Sequence, residues 1–160
     1  MERFSNRTED LINQIKTELT DLACPPDWHT HILYLEIGQL LSHAFSVTLL
    51  AHKSEVKFVA KYWNAHYDGS RFQHGIYNLN RLAITEQELS LSETEATFLQ
   101  SIDTSLLSTA PYKGIVLDGL FCQLSIPSSG TTFTWNLDEE MNQPLRTLVH
   151  TLRTKASSFL

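Results

Sequence analysis

The chain has little of what most functional signatures require. Cys24 and Cys122 are its two cysteines in 160 residues. They are too few for a disulfide scaffold and form no C-x-x-C pair of the kind that serves zinc or thiol redox work, so reduced, buried thiols are expected. The six glycines stand at positions 38, 69, 75, 114, 119 and 130, and none opens a helix in a phosphate-cradling pattern. Nucleotide binding therefore has no support. Cations are scarce: 12 Lys and Arg stand against 18 Asp and Glu, a net charge of −6. Without clustered bases to displace counterions, nucleic acid is excluded as a direct partner. No apolar run reaches the roughly 18 residues of a membrane span, and the start, Met1 to Arg7, has no apolar stretch of the secretory kind. A cytoplasmic protein with no membrane partner is expected.

What is present is ordinary globular material. The composition is 42% hydrophobic, with three Trp, five Tyr and eight Phe. Residues 1–160 suit one domain, long enough to bury roughly two-thirds of the surface of its unfolded form. Leu11, Ile12, Ile15, Leu19 and Leu22 fall at helical spacing, which predicts an amphipathic helix over 8–22, capped by Thr8 and stopped before Pro25-Pro26. HTHILYLEIG, residues 29–38, reads as a strand, although its spacing also permits a helix running on through Leu41. Residues 45–51 and 55–63 form a hairpin, Val56, Phe58 and Ala60 facing one way and Lys57, Val59 and Lys61 the other. Asp68-Gly69-Ser70 signals a turn leading to a fourth strand over 75–84. Ser92 and Glu95 make a capping box in front of a helix over 93–106. A long strand over 114–126, bulged at Asp118-Gly119, turns at 127–131 into a last strand ending at Trp135, and a helix follows from about Asp138 to Ser157. Strands in succession without alternating helices predict an α+β fold, an antiparallel sheet of five to six strands packed against about three helices.

The search for chemistry is short. His29 and His31 would share one face of a strand, but two imidazoles do not make a zinc site, and no third ligand follows at a diagnostic spacing. His66, Asp68 and His74 surround the turn at Gly69, beside Tyr67, yet no nucleophile motif accompanies them, and they read as polar loop residues that can be replaced singly without loss of function. Arg71 can anchor that loop through a carboxylate. Asp118 sits in an apolar strand before a glycine, the signature of a bend. No catalytic residue, no cofactor and no metal site is expected, and the protein is read as a non-enzyme.

The charge is unevenly placed. Residues 1–81 carry nine acids and eight bases, whereas residues 82–145 carry nine acids and one base, Lys113, a net of −8. Either this is a solvated face that keeps the protein soluble, or it is a docking surface for a basic protein. On charge alone the partner-binding candidates are Glu86, Glu88, Glu93, Glu95 and Asp103, with Asp138, Glu139 and Glu140 as a second cluster. Glu88, Glu95 and Asp103 would share one stripe if the helix reached back to Glu88.

Leu117-Asp118-Gly119 before a strand, Trp135 at the end of the next strand and a terminal helix together resemble small bacterial immunity proteins of the contact-dependent growth inhibition type, over roughly residues 115–152. The resemblance implies a cytoplasmic antitoxin that binds a cognate toxin domain, often a nuclease with a basic surface, and neutralises it. Its size, acidity and order of elements also resemble a secretion chaperone that holds an effector segment, the alternative reading. A third, a small-molecule enzyme built on 67–74, has less behind it.

Overall fold

The computed structural model describes residues 2–75, 80–111, 114 and 120–158. Among them six strands form one antiparallel sheet and four α-helices pack around it, an α+β fold. In chain order these are α1 (Glu2–Thr20), β1 (His29–Ile37), β2 (Ala44–His52), β3 (Glu55–Trp63), α2 (Ala65–Gln73), β4 (Ile84–Leu89), α3 (Glu93–Gln100), β5 (Phe121–Ile126), β6 (Thr131–Trp135) and α4 (Gln143–Ser157). The sheet order is β4-β3-β2-β1-β5-β6.

The sheet is covered on both faces. Leu11, Ile15 and Leu19 of α1 pack on Leu35, Ile37, Ala44 and Trp63, while Leu145, Leu148, Val149 and Leu152 of α4 pack on the other face with Tyr34, Val47, Phe58 and Leu124. This explains why β2 carries no polar stripe: as a central strand it is buried on both faces, all but its last residue. The alternation expected for β3 is present, with Phe58 and Ala60 in the α4-side core and Val59 and Lys61 turned to α1.

The α1 helix starts at Glu2, so Thr8 lies inside it and is not its cap. Its C-terminal carbonyls, which no glycine cap satisfies, are met by the sheet. Ser46 donates to the Leu19 carbonyl at 2.6 Å, and the buried Lys61 ammonium donates to the carbonyls of Glu18 and Asp21. The helix side of a strand and the end of a helix thus satisfy each other.

The expected turn at Asp68-Gly69-Ser70 is instead the middle of α2. Asn64 caps this helix, accepting from the Tyr67 amide at 3.0 Å, a local signal strong enough to carry the chain through Gly69. Asp68 is fully buried and accepts from Trp63 Nε1 at 3.0 Å, the Ala83 amide at 2.6 Å and Arg71 at 3.1 Å. Arg71 does anchor this segment, but Asp68 is no loop residue. The fourth strand lies later than expected: residues 76–79 of the 75–84 run are outside the described residues, and the strand pairing with β3 is Ile84–Leu89. Its sequence, ITEQEL, is too polar to read as a strand, because β4 is an edge held by backbone pairing with both side-chain faces largely exposed.

The capping box is present, with Glu95 N to Ser92 Oγ at 3.1 Å and Ser92 N to Glu95 Oε2 at 2.7 Å. The α3 helix stops at Gln100, short of Leu106. Asp103 takes the Ser105 amide at 3.0 Å and starts a separate 3-10 turn over Thr104–Leu106, the competition by which Asp and Ser side chains end helices. Of the long strand expected over 114–126, Phe121–Ile126 is a strand, and residues 115–119, with Asp118, lie outside the described residues. The β5–β6 turn closes on Gly130 at φ 64°. The last helix begins at Gln143, capped by Asn142 with Pro144 in its first turn, and Asp138–Glu140 form a 3-10 turn ahead of it.

Two outcomes follow from α2. Gly69 is helical and a Cβ there would meet nothing within 4 Å. Gly69→Ala raises stability by about 0.5–1 kcal/mol, read by thermal or urea unfolding; no gain means the helix frays in solution. Asp68→Ala strands Trp63 Nε1 and the Ala83 amide and costs about 3–5 kcal/mol, while His66→Ala and His74→Ala, both exposed, stay within about 0.5 kcal/mol. Equal stability of all three variants in urea unfolding is the result that removes Asp68 from this role.

Candidate binding site

Of the eight carboxylates singled out by charge, five have partners within the protein. Glu95 is taken up by its capping box and by Lys155, 3.0 Å away. Asp138 chelates Arg153, its two oxygens at 2.8 and 3.0 Å from Nη1 and Nη2. Glu140 accepts the amides of Asn136 and Leu137 at 2.6 and 3.0 Å. Asp103 caps the 3-10 turn and Glu86 stands 3.6 Å from Lys61 across the β3–β4 pair. Glu88, Glu93 and Glu139 are exposed and have no partner among the described residues. The stripe of Glu88, Glu95 and Asp103 does not exist, since Glu88 is on a strand, Glu95 is held by Lys155 and Asp103 lies past the end of α3.

Of the concave features that flank α4, two have large apolar side chains in their lining. On one side, between it and the segment from Phe98 to Leu107, is a groove of about 430 Å³ lined by Phe98, Ile102, Leu106, Pro144 and Leu148, with Asp103 among them. Phe98 and Leu106 are 36% and 58% exposed, large apolar side chains left in water beside one cleft. Hydrogen bonds from the Ser105 hydroxyl and amide hold the Asp103 carboxyl below the usual range, so the groove carries a fixed negative charge.

On the other side is a pocket of about 370 Å³ walled by Ala44, Phe45, Tyr62 and Trp63, with Glu36, His43, Arg153 and Ser157 as its polar lining. Beneath it lies a buried ionic cluster. Arg153 Nε donates to Glu36 Oε2 at 2.7 Å and contacts the Tyr34 hydroxyl at 3.1 Å, its other two nitrogens being on Asp138. Tyr34 also donates to Glu36 Oε2. His43 Nε2 is 3.0 Å from Glu36 Oε1, and Ser42 Oγ is 3.2 Å from His43 Nδ1. Gly38 permits this placement of His43: a Cβ at Gly38 would stand 2.4 Å from His43 Nδ1. Burial alone would raise the Glu36 carboxyl, but the hydrogen bonds with His43 and Tyr34 and the charge of Arg153 outweigh it and hold the Glu36 carboxyl below its usual range. Burial pushes the Tyr34 hydroxyl far up and the Cys122 thiol up to about 12, in both cases with the Glu36 charge adding to it.

Sequence reading named Asp138 in this cluster but gave it to a partner, and it missed Tyr34, Glu36, His43 and Arg153. The available signals were a glutamate inside the apolar run Leu33–Ile37 and an arginine one residue from the apolar stripe of α4. The cysteines divide: Cys122 is buried as expected, whereas Cys24 is exposed, held ahead of Pro25-Pro26 in a turn where its thiol points to the Trp28 carbonyl at 3.0 Å. His29 lies exposed and His31 half-buried on β1, and among the described residues no group of three or more His, Cys, Asp or Glu is placed to hold a metal ion. No helix among the described residues is long and apolar enough to cross a membrane. Comparison with protein-family models, curated proteins and solved structures gives no match for the chain.

Proposed function

We propose that the protein is a non-enzymatic binding protein that occupies and neutralises a basic partner protein, of the kind a toxin domain presents to its immunity protein. The observation that carries this reading is the groove beside α4. A solvent-facing cleft lined by Phe98, Ile102 and Leu106 with an ionised carboxylate, Asp103, among them has the make-up of an interface core with one charged contact. The acidic excess of residues 82–145 adds long-range attraction for a basic surface, which speeds encounter, while the apolar groove supplies affinity. The charge and the groove thus act on different steps. Neither requires a reaction at the surface, and a protein that blocks a partner's active face does its work by remaining bound.

The test is co-expression with the toxin domain encoded beside the gene, scored by growth and by binding of the purified pair. Phe98→Asp with Leu106→Asp, both at exposed positions, leaves the circular dichroism unchanged and weakens binding roughly 30-fold or more, the effect of a hot-spot anchor. Asp103→Asn keeps the cap on the Ser105 amide, removes the charge, slows association and flattens its dependence on salt. Full protection and unchanged affinity in the double variant would remove the groove from the interface.

A further inference from the structure

We propose that the pocket between α4 and the β1–β3 face of the sheet is a binding site for an organic monocation, an alkyl ammonium or guanidinium group on an apolar stem, with Glu36 as its counter-charge and the rings of Phe45 and Tyr62 as its walls. The proposal is independent of the groove on the other flank of α4.

The charge of the site comes first. Two carboxylates, Glu36 and Asp138, share one guanidinium, Arg153, and burial keeps the protons on Tyr34 and Cys122. With His43 uncharged, one negative charge is therefore left over at a site where Coulombic interactions are stronger than in bulk water. An anion finds no complement here, because Arg153 already directs its Nε to Glu36 and both Nη atoms to Asp138. The residual charge also has an address. Glu36 Oε2 accepts from Tyr34 and Arg153, filling its two lone-pair directions, whereas among the described residues Oε1 accepts only from His43, which leaves one direction open. The Glu36 side chain keeps 8% of its surface accessible and lines the pocket.

The walls suit the same ligand. Phe45 and Tyr62 lie nearly parallel with centroids 5.6 Å apart, and His43 continues the row on Phe45 at 6.3 Å. Aromatic faces attract cations, and they do so more strongly where water is excluded. The volume of about 370 Å³ is at the small end of ligand pockets, matched to a four- or five-carbon stem with a charged head. His43, half-exposed at the mouth, is the donor that such a head would join or replace on Oε1.

The shared chemistry could come from a free amine or from a Lys or Arg side chain of another protein, and the experiment separates these. Butylguanidinium and butylurea, near-isosteric but differing in charge, are titrated into the intact protein, with nuclear magnetic resonance shifts of Phe45 and Tyr62 locating the site. Butylguanidinium binds with a Kd of about 1 mM or tighter and at least ~10-fold better than butylurea. Glu36→Gln removes that preference, and Tyr62→Leu, at the half-buried wall, weakens the cation by ~3-fold or more while the protein stays folded. An end-blocked Leu-Arg-Leu peptide binding ~10-fold better than butylguanidinium assigns the pocket to a protein side chain; equal or weaker peptide binding assigns it to a free amine. Equal affinity for the two probes, no binding of butylguanidinium at ~10 mM, or a charge preference that survives Glu36→Gln in a folded variant overturns the proposal. Should Glu36→Gln fail to fold, the two-probe comparison on the unaltered protein decides alone.

Discussion

Arg153 is the interaction on which the placement of the helical layer depends. Its guanidinium joins α4 to Glu36 on β1 and to Asp138 in the 3-10 turn ahead of α4, and it reaches the Cys122 sulfur on β5 at 3.7 Å. The apolar stripe of Leu145, Leu148, Val149, Leu152 and Ala156 sinks α4 into the core, but hydrophobic burial has no direction and would tolerate sliding or rotation along the sheet. A bidentate contact to one carboxylate and a third bond to another tolerate neither. The cost is real, since desolvating these charges offsets much of their attraction, and a packed apolar substitute could be as stable. What such a substitute would lack is the register, and with it the two concave flanks of α4.

The same geometry explains which parts of the fold can be read from the chain. The capping box at Ser92 and Glu95, the β2–β3 hairpin and the stripe of α4 are local patterns whose partners lie within a few residues, and they were legible. Asp68 and Arg153 were not. Asp68 owes its burial to the Ala83 amide, 15 residues away, and Arg153 to Glu36, 117 residues away. A charged residue inside an apolar run is the trace such pairs leave, and the trace does not name the partner. Strand β4 failed for the opposite reason: TEQE carries no apolar pattern because an edge strand can be fixed by main-chain bonds to β3 and needs no buried face.

Counting charges along the chain does not show which of them pair within the fold. Glu95, Asp138 and Glu140 are engaged within the protein, and so are the bases that would otherwise balance the exterior, with Lys61 on helix carbonyls, Arg71 on Asp68 and Lys155 on Glu95. Sequence counts treat each charge as equally available, whereas folding removes those that pair across elements. The acids left exposed without a partner among the described residues, Glu88, Glu93 and Glu139, lie on three different elements, so they act as a diffuse field more than as a contact patch. A partner steered by that field must still find a place to dock, and the apolar groove meets that need where the carboxylates alone do not.

The backbone beside the Glu36 pocket carries a conformational cost. In the β1–β2 turn Leu40 and Leu41 both adopt left-handed backbone, at φ 52° and 55°, each costing roughly 1–2 kcal/mol relative to glycine or asparagine. Leu41 recovers part of this by packing on the α1-side core, whereas Leu40 is 86% exposed. The turn runs from Gly38, whose lack of a side chain lets His43 approach, to His43 itself, which holds the open oxygen of Glu36. Strain of this kind persists where the surrounding structure over-determines it, and here the Gly38 amide on the His43 carbonyl and the bond between His43 and Glu36 supply that constraint.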